Sequence, residues 1–250
     1  MTSRLPLAIL AQPDDESCGP TCLHAIYSYW EKESLSLDEV LGEVLRVETG
    51  GTLAVHLGSH ALRRGYRSIL YTNDLQMFDP TWFPVPVGKH RDVDPVFLTG
   101  KLLRQVANRR SQKFRSATEG YTRFLASGGK IRFRDFTPDL IRKYLDRGIP
   151  ILTGLSATYL YNTMREIPES NQSDDLKGRP CGHFVVLRGY DRIRRKVLIA
   201  DPYARNPRYN EPYYAVNMRR LIHAVLLGVL TFDANLLVLI PEKESEVLIS

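Results

Sequence analysis

The chain has 250 residues, 43% hydrophobic and 25% charged, with a formal net charge of +6 and three cysteines. A chain of this length buries a full core without staples, and three cysteines do not make a disulfide framework; the odd number fits a reducing compartment. The longest apolar run beyond the N-terminus, Leu221 to Leu230, is about half of the ~20 residues a bilayer span needs, so a soluble, cytoplasmic protein with no membrane partner is expected.

The first apolar run, Leu7 to Ala11, is too short for a secretory signal core and predicts a strand. After the acidic loop Asp14-Asp15-Glu16, a helix is predicted from Cys18 to Trp30, with Cys18, Cys22, Ala25, Ile26 and Tyr29 on one inward stripe. Ser36 and Glu39 form an S-x-x-E capping box that starts a second helix, Leu37 to Arg46. A turn follows at Thr49-Gly50-Gly51. Thr52 is the expected cap of a third helix to Arg64, closed by Gly65, and "YRSILYT" reads as a strand.

Residues 73 to 134 are expected to be an inserted subdomain in a chain that otherwise forms one domain. Its first part is rich in proline and aromatics without a period. From 89 to 134 there are 12 Lys and Arg against 3 Asp and Glu, a local +9 that leaves −3 for the rest. Leu103, Val106, Phe114, Ala117, Tyr121 and Phe124 recur at helical steps apart from a gap at Arg110, predicting one long amphipathic helix. Arg104, Arg109, Lys113 and Arg115 lie on its other face. That face is either simply solvated or a surface for an acidic substrate; with no nucleic-acid-binding motif present, nucleic acid is not an expected partner.

Thr137-Pro138 supplies the cap and first-turn proline of a helix ending at Gly148. "IPILTG" then predicts a strand, 165 to 182 a polar loop, "HFVVLRGY" and "KVLIAD" two further strands, Leu221 to Leu230 an apolar helix, and "ANLLVLIP" a last strand. The C-terminal third is expected to be a mostly antiparallel sheet.

Cys18 opens its helix, where unpaired backbone N–H groups favour a thiolate, and Pro20 costs nothing in the first turn. The carboxylates of the preceding loop act in the other sense, but exposed charges are screened and a partner histidine decides the outcome. Of six histidines, His183 has the suggestive setting: it follows Gly182 at the start of an apolar strand. Asp201-Pro202 ends the next strand, so its carboxylate is placed to orient an imidazole on the neighbouring one.

The order Gln12, Cys18-Gly19-Pro20, Gly182-His183-Phe184, Asp201-Pro202 resembles the bacteriocin-processing, double-glycine type cysteine peptidases of the papain-like superfamily. The resemblance covers these motifs rather than the whole chain. It implies Cys18 as nucleophile, His183 as its base, Asp201 as the orienting residue and Gln12 as an oxyanion donor. Gly19, Gly182, Arg104, Arg109 and Lys113 complete the candidate substrate-binding set. Members of that family are commonly domains of exporters with membrane spans, and residues 73 to 134 have no counterpart in a compact papain-like core, so substrate choice does not carry over.

Two metal readings compete. His56 and His60 have an i, i+4 ligand spacing but lack the glutamate of the zinc-protease signature. Cys18, Cys22, Cys181 and His183 are four tetrahedral-type ligands, but a metal there would consume the nucleophile and leave Gln12 without a role. No metal or cofactor is therefore expected. The sequence predicts an α+β papain-like cysteine peptidase fold, a helical N-terminal part packed on a C-terminal antiparallel sheet. The expected activity is cysteine-dependent hydrolysis of an amide in a peptide or isopeptide. The alternatives are a catalytically silent peptide-binding module, and an acyltransferase or transglutaminase using the same triad.

Overall fold

In the strand sequences both alternating positions are apolar, which requires a sheet covered on its two faces. The computed structural model describes residues 2–47, 51–84, 92–109, 111–168, 170–231 and 234–249. In β7 (Gly182–Asp191) Phe184 and Val186 join one core, while Val185 and Leu187 join the other. In β10 (Asn235–Pro241) Leu237 and Leu239 oppose Leu236, Val238 and Ile240 in the same way.

The other main-sheet strands are β1 (Thr2–Arg4), β2 (Tyr66–Thr72), β3 (Lys130–Phe133), β4 (Ile151–Ser156), β8 (Lys196–Ala200) and β9 (Tyr213–Asn217); a separate short hairpin joins β5 (Glu166–Ile167) to β6 (Gln172–Ser173). The main sheet runs β3-β2-β10-β4-β7-β8-β9, with β1 also paired to β7. Every pairing is antiparallel except β2 with β3. The α+β class and the antiparallel C-terminal strands are as expected, but the sheet also recruits β2 and β3 from the first half of the chain.

One face carries α1 (Cys18–Trp30), α2 (Leu37–Glu43), α3 (Ala54–Arg63), α4 (Pro95–Ala107) and α5 (Gln112–Ala126). Here α1 lies on β7, α3 on β2, and α5 on α3. The other face carries α6 (Pro138–Leu145), α7 (Ala157–Tyr161) and α8 (Met218–Leu227), while α9 (Glu242–Ile249) follows β10. Leu98 and Leu102 of α4 and Phe124 of α5 are fully buried in the same core as α1 and α3. Truncating one such leucine to alanine costs about 2–5 kcal/mol.

Local chemistry explains most boundaries. The Ser36–Glu39 capping box forms in full, but the helix ends at Glu43 rather than Arg46. Gly65 closes α3 at φ +76°, the left-handed conformation glycine adopts without penalty. Thr137 caps α6 by accepting from the Leu140 N–H. Thr49 and Gly50 of the expected turn, and Arg110 at the expected gap, lie outside the described residues.

Four expectations need correction. Leu7 to Ala11 is not a strand: β1 is Thr2–Arg4, and the apolar run follows as an extended tether. Its route is fixed by Leu5, whose carbonyl accepts two bonds from the buried Arg188 guanidinium, and by the Ile9 N–H, which donates to the Tyr213 hydroxyl. Thr52 does not cap α3; Leu53 is the N-cap, and the Thr52 hydroxyl donates to the Leu45 carbonyl. The long basic helix is two helices, because Asn108 ends α4 and Ser111 restarts the chain as the N-cap of α5. The apolar helix near 221–230 starts earlier, at Met218, with Asn217 as its cap.

Candidate active site

The tether leads to one end of the sheet. At Gln12 its N–H donates to the Pro202 carbonyl at 2.9 Å, pinning the loop before α1 to the residue after Asp201. Because β7 and β8 are antiparallel, the first residues of one and the last of the other share that end. The N-terminus of α1, lying on β7, brings Cys18 there as well.

His183 Nε2 and Asp201 Oδ1 are 2.8 Å apart, the ring almost buried and the carboxylate fully so. The start of α1 is packed against the same part of β7, with Gly19 on the Phe184 ring and Cys22 Sγ 3.3 Å from the Phe184 carbonyl, so Cys18 is close enough to act on the charge of this ring. Since Nε2 is committed to Asp201, Nδ1 is the nitrogen left for the thiol. Burial alone pushes the imidazolium down. The Asp201 charge and hydrogen bond, with Cys18 adding to both, outweigh it and carry His183 from the usual 6.5 to about 10.

Asp201 is held from four sides. Besides His183, its Oδ1 accepts the Tyr203 N–H at 2.9 Å, and its Oδ2 accepts the hydroxyls of Tyr161 at 2.7 Å and of Tyr214. Burial raises its pKa, but His183 and the two phenols prevail and hold it below the usual carboxylate range. Sequence reasoning missed Tyr161 and Tyr214. Tyr161 ends a five-residue helix with no periodic signal, and Tyr214 lies in a short strand between polar turns.

Residues 103–220 match the Peptidase_C39 like family, a little under half of the chain. The chain resembles that family, as its motif residues imply. The match takes in His183 and Asp201, stops short of Cys18 and Gln12, and supports a cysteine peptidase-like enzyme. Xylellain, a cysteine protease from Xylella fastidiosa, is a similar solved structure, 17% identical over 95% of this chain and 85% of its own, with a TM-score of 0.42. No curated protein matches the chain.

In the segment before the family match, the Gln12 amide Nε2 donates to the Asp14 carbonyl at 2.8 Å, while its Oε1 is buried without a partner. The acidic loop is held in its own contacts: Asp14 accepts from the Ser17 hydroxyl at 2.6 Å, and Glu16 pairs with Arg46 at 3.5 Å. Asp15 meets Asn171 of the β5–β6 turn at 3.4 Å, so part of the 165–182 loop borders this end of the sheet.

The three thiols have separate settings. Cys18 is 9% exposed; Cys22 is 0% exposed, with its Sγ 3.3 Å from the Phe184 carbonyl. Burial pushes the Cys22 thiol well up. Cys181, half-buried, is raised to about 11 by burial and then by Glu166. His60 bonds Tyr27 and Glu43 through its two ring nitrogens.

The remaining candidates divide. Gly182 is exposed beside His183. Gly19 is buried, and a Cβ there would stand 2.6 Å from Thr52 and 3.2 Å from Phe184, so close packing of α1 accounts for this glycine rather than substrate contact. Arg104, Arg109 and Lys113 are not brought to the end of β7 that holds His183. They lie on the α4–α5 layer, where α5 packs on α3 and on the edge strand β3, four strands from β7 and so ~19 Å across the sheet. Arg104 donates to the Gly100 carbonyl, and Arg109 donates to the Gln76 carbonyl and covers the Phe114 ring.

Proposed function

We propose that the chain is a papain-like cysteine hydrolase of amide bonds in a peptide or isopeptide, with Cys18 as nucleophile, His183 as acid–base group and Asp201 as the orienting carboxylate. The observation that carries the reading is the convergence of a helix-terminal thiol, an imidazole and a buried carboxylate bonded at 2.8 Å.

The Cys18 proton passes to His183, and the thiolate attacks the carbonyl carbon. The oxyanion receives the Cys18 backbone N–H and the Gln12 amide, whose nitrogen keeps a second hydrogen after its bond to Asp14. Collapse breaks the C–N bond as the leaving amine takes the proton from His183, leaving a thioester on Cys18. Water, deprotonated by His183, then releases the acid and restores the thiol. Asp201 holds the ring throughout and stays ionised.

The same reading treats the chain as one domain, with residues 73 to 134 elaborating its helical layer, and places it in a reducing cytoplasm where three free thiols persist. Cleavage after a double glycine rests on the family resemblance alone. An acidic-substrate preference has no support from the position of Arg104, Arg109 and Lys113.

The test is an unbiased search for peptides cleaved by wild type. Products absent with Cys18→Ala bear the reading out; products unchanged by that substitution overturn it. Added hydroxylamine, by diverting the thioester to a hydroxamate, distinguishes hydrolysis from acyl transfer to amines.

A further inference from the structure

We infer that Tyr161 and Tyr214 are positioning residues of the proposed triad, a pair of phenols whose joint hold on Oδ2 fixes the Asp201 carboxylate and keeps the shared proton on His183. The inference rests on the reading of Cys18, His183 and Asp201 just given.

The two tyrosines come from different elements, a helix and a strand, but both side chains lie in the core on the α6–α8 side of the sheet. Tyr161 ends α7, just before the left-handed Asn162 at φ 59°, and Tyr214 lies in β9, beside β8. Both hydroxyls are buried and reach the same oxygen, with Tyr161 at 2.7 Å. Tyr209 stacks on Tyr214 with ring centroids 3.8 Å apart and planes 9° apart, which fixes the ring that carries one of the donors. With Oδ2 occupied twice, the carboxylate cannot rotate, and Oδ1 is presented to the imidazole.

The hydrogen bonds also have a chemical effect. A carboxylate whose charge is drawn toward two phenols is a weaker base, so the Nε2 proton stays on the ring. With Nε2 still protonated, the ring that has taken the Cys18 proton at Nδ1 is a full imidazolium, acidic enough to pass that Nδ1 proton to the leaving amine. The ionisable groups around Asp201 are His183 from β7, Tyr161 from α7, Tyr214 from β9, and Cys18 and Cys22 from α1. The two tyrosines donate to Asp201 and stay neutral throughout the working range, since burial, followed by the Asp201 charge, raises both; Cys22, also kept neutral by burial, has its Sγ on the Phe184 carbonyl instead.

The experiment follows iodoacetamide labelling of each cysteine by mass spectrometry across the acid limb, about pH 4 to about pH 8, in wild type, Tyr161→Phe and Tyr214→Phe. Cys22, fully buried, labels only when the fold opens and so reports unfolding in the same sample. The expected result is an acid limb of Cys18 labelling displaced to higher pH in each variant with Cys22 still protected. On any substrate cleaved by wild type, kcat should fall about tenfold at unchanged KM. An unmoved limb, or a loss of Cys18 labelling only in proportion to a gain at Cys22, overturns the inference. Failure of the underlying reading is distinguishable, because Cys18 labelling would then be indifferent to His183→Ala as well.

Discussion

His183 and Asp201 meet at 2.8 Å, Nε2 to Oδ1, across two antiparallel strands and 18 residues of sequence. The ring is fixed by this bond, and its strand, β7, is covered by the helix whose first residue is Cys18. Replacing His183 by alanine should lower turnover at least ~10²-fold while the fold remains, because the proton acceptor and donor is lost. Circular dichroism with steady-state kinetics checks both halves; wild-type turnover in the variant would assign the base elsewhere.

The pair also sets the pH dependence of stability. His183 has its folded pKa raised from 6.5 to about 10, so its contribution is whole below about 6.5 and is lost as pH rises through about 10. Asp201 is lowered, so its contribution is present above the usual 3.8 and is lost as pH falls. Denaturant unfolding should show the largest gap between wild type and His183→Gln from about pH 4 to about pH 6.5. A gap that widened toward alkaline pH would contradict this ionisation scheme.

Asp74 gives a prediction of the opposite sign. It is 1% exposed, its Oδ1 accepts the Gln76 and Met77 N–H groups, and its Oδ2 is buried without a partner. Burial raises it from 3.8 to about 6, against the pull of those N–H groups and of Arg109 and Lys113. A raised carboxylate costs stability as pH rises through about 6. Asp74→Asn should therefore stabilise by about 1–3 kcal/mol at neutral pH, with the gain vanishing below about pH 4.

Charge reversal on the α4–α5 layer should be nearly silent for catalysis. With Arg104, Arg109 and Lys113 changed to Glu, KM for an acidic peptide should stay within about twofold of wild type. A large rise in KM, with salt dependence in the wild type, would place these side chains at the substrate.

Much of this was legible in the sequence for physical reasons. Capping chemistry is local, so Ser36–Glu39 and Thr137-Pro138 announced their helices, and strands buried on both faces stood out as apolar runs. The His183–Asp201 pair was legible because each member has a distinctive neighbour, Gly before His183 and Pro after Asp201, and Gly-Pro after Cys18 marked the thiol proposed to act with them. Leu7 to Ala11 misled because an apolar tether held by Arg188 and Tyr213 has the composition of a strand. Ser111 was overlooked as a cap, and two helices were read as one. Tyr161 and Tyr214 were hidden because a tyrosine whose hydroxyl meets a buried carboxylate has the same sequence pattern as one that only fills the core.

The account stands most directly on the reactivity of Cys18. At about pH 7, iodoacetamide with mass mapping of all three cysteines should label Cys18 ahead of Cys22 and Cys181, and that preference should disappear in His183→Ala. Equal labelling of Cys18 and Cys22, or a Cys18 rate indifferent to His183, would contradict it.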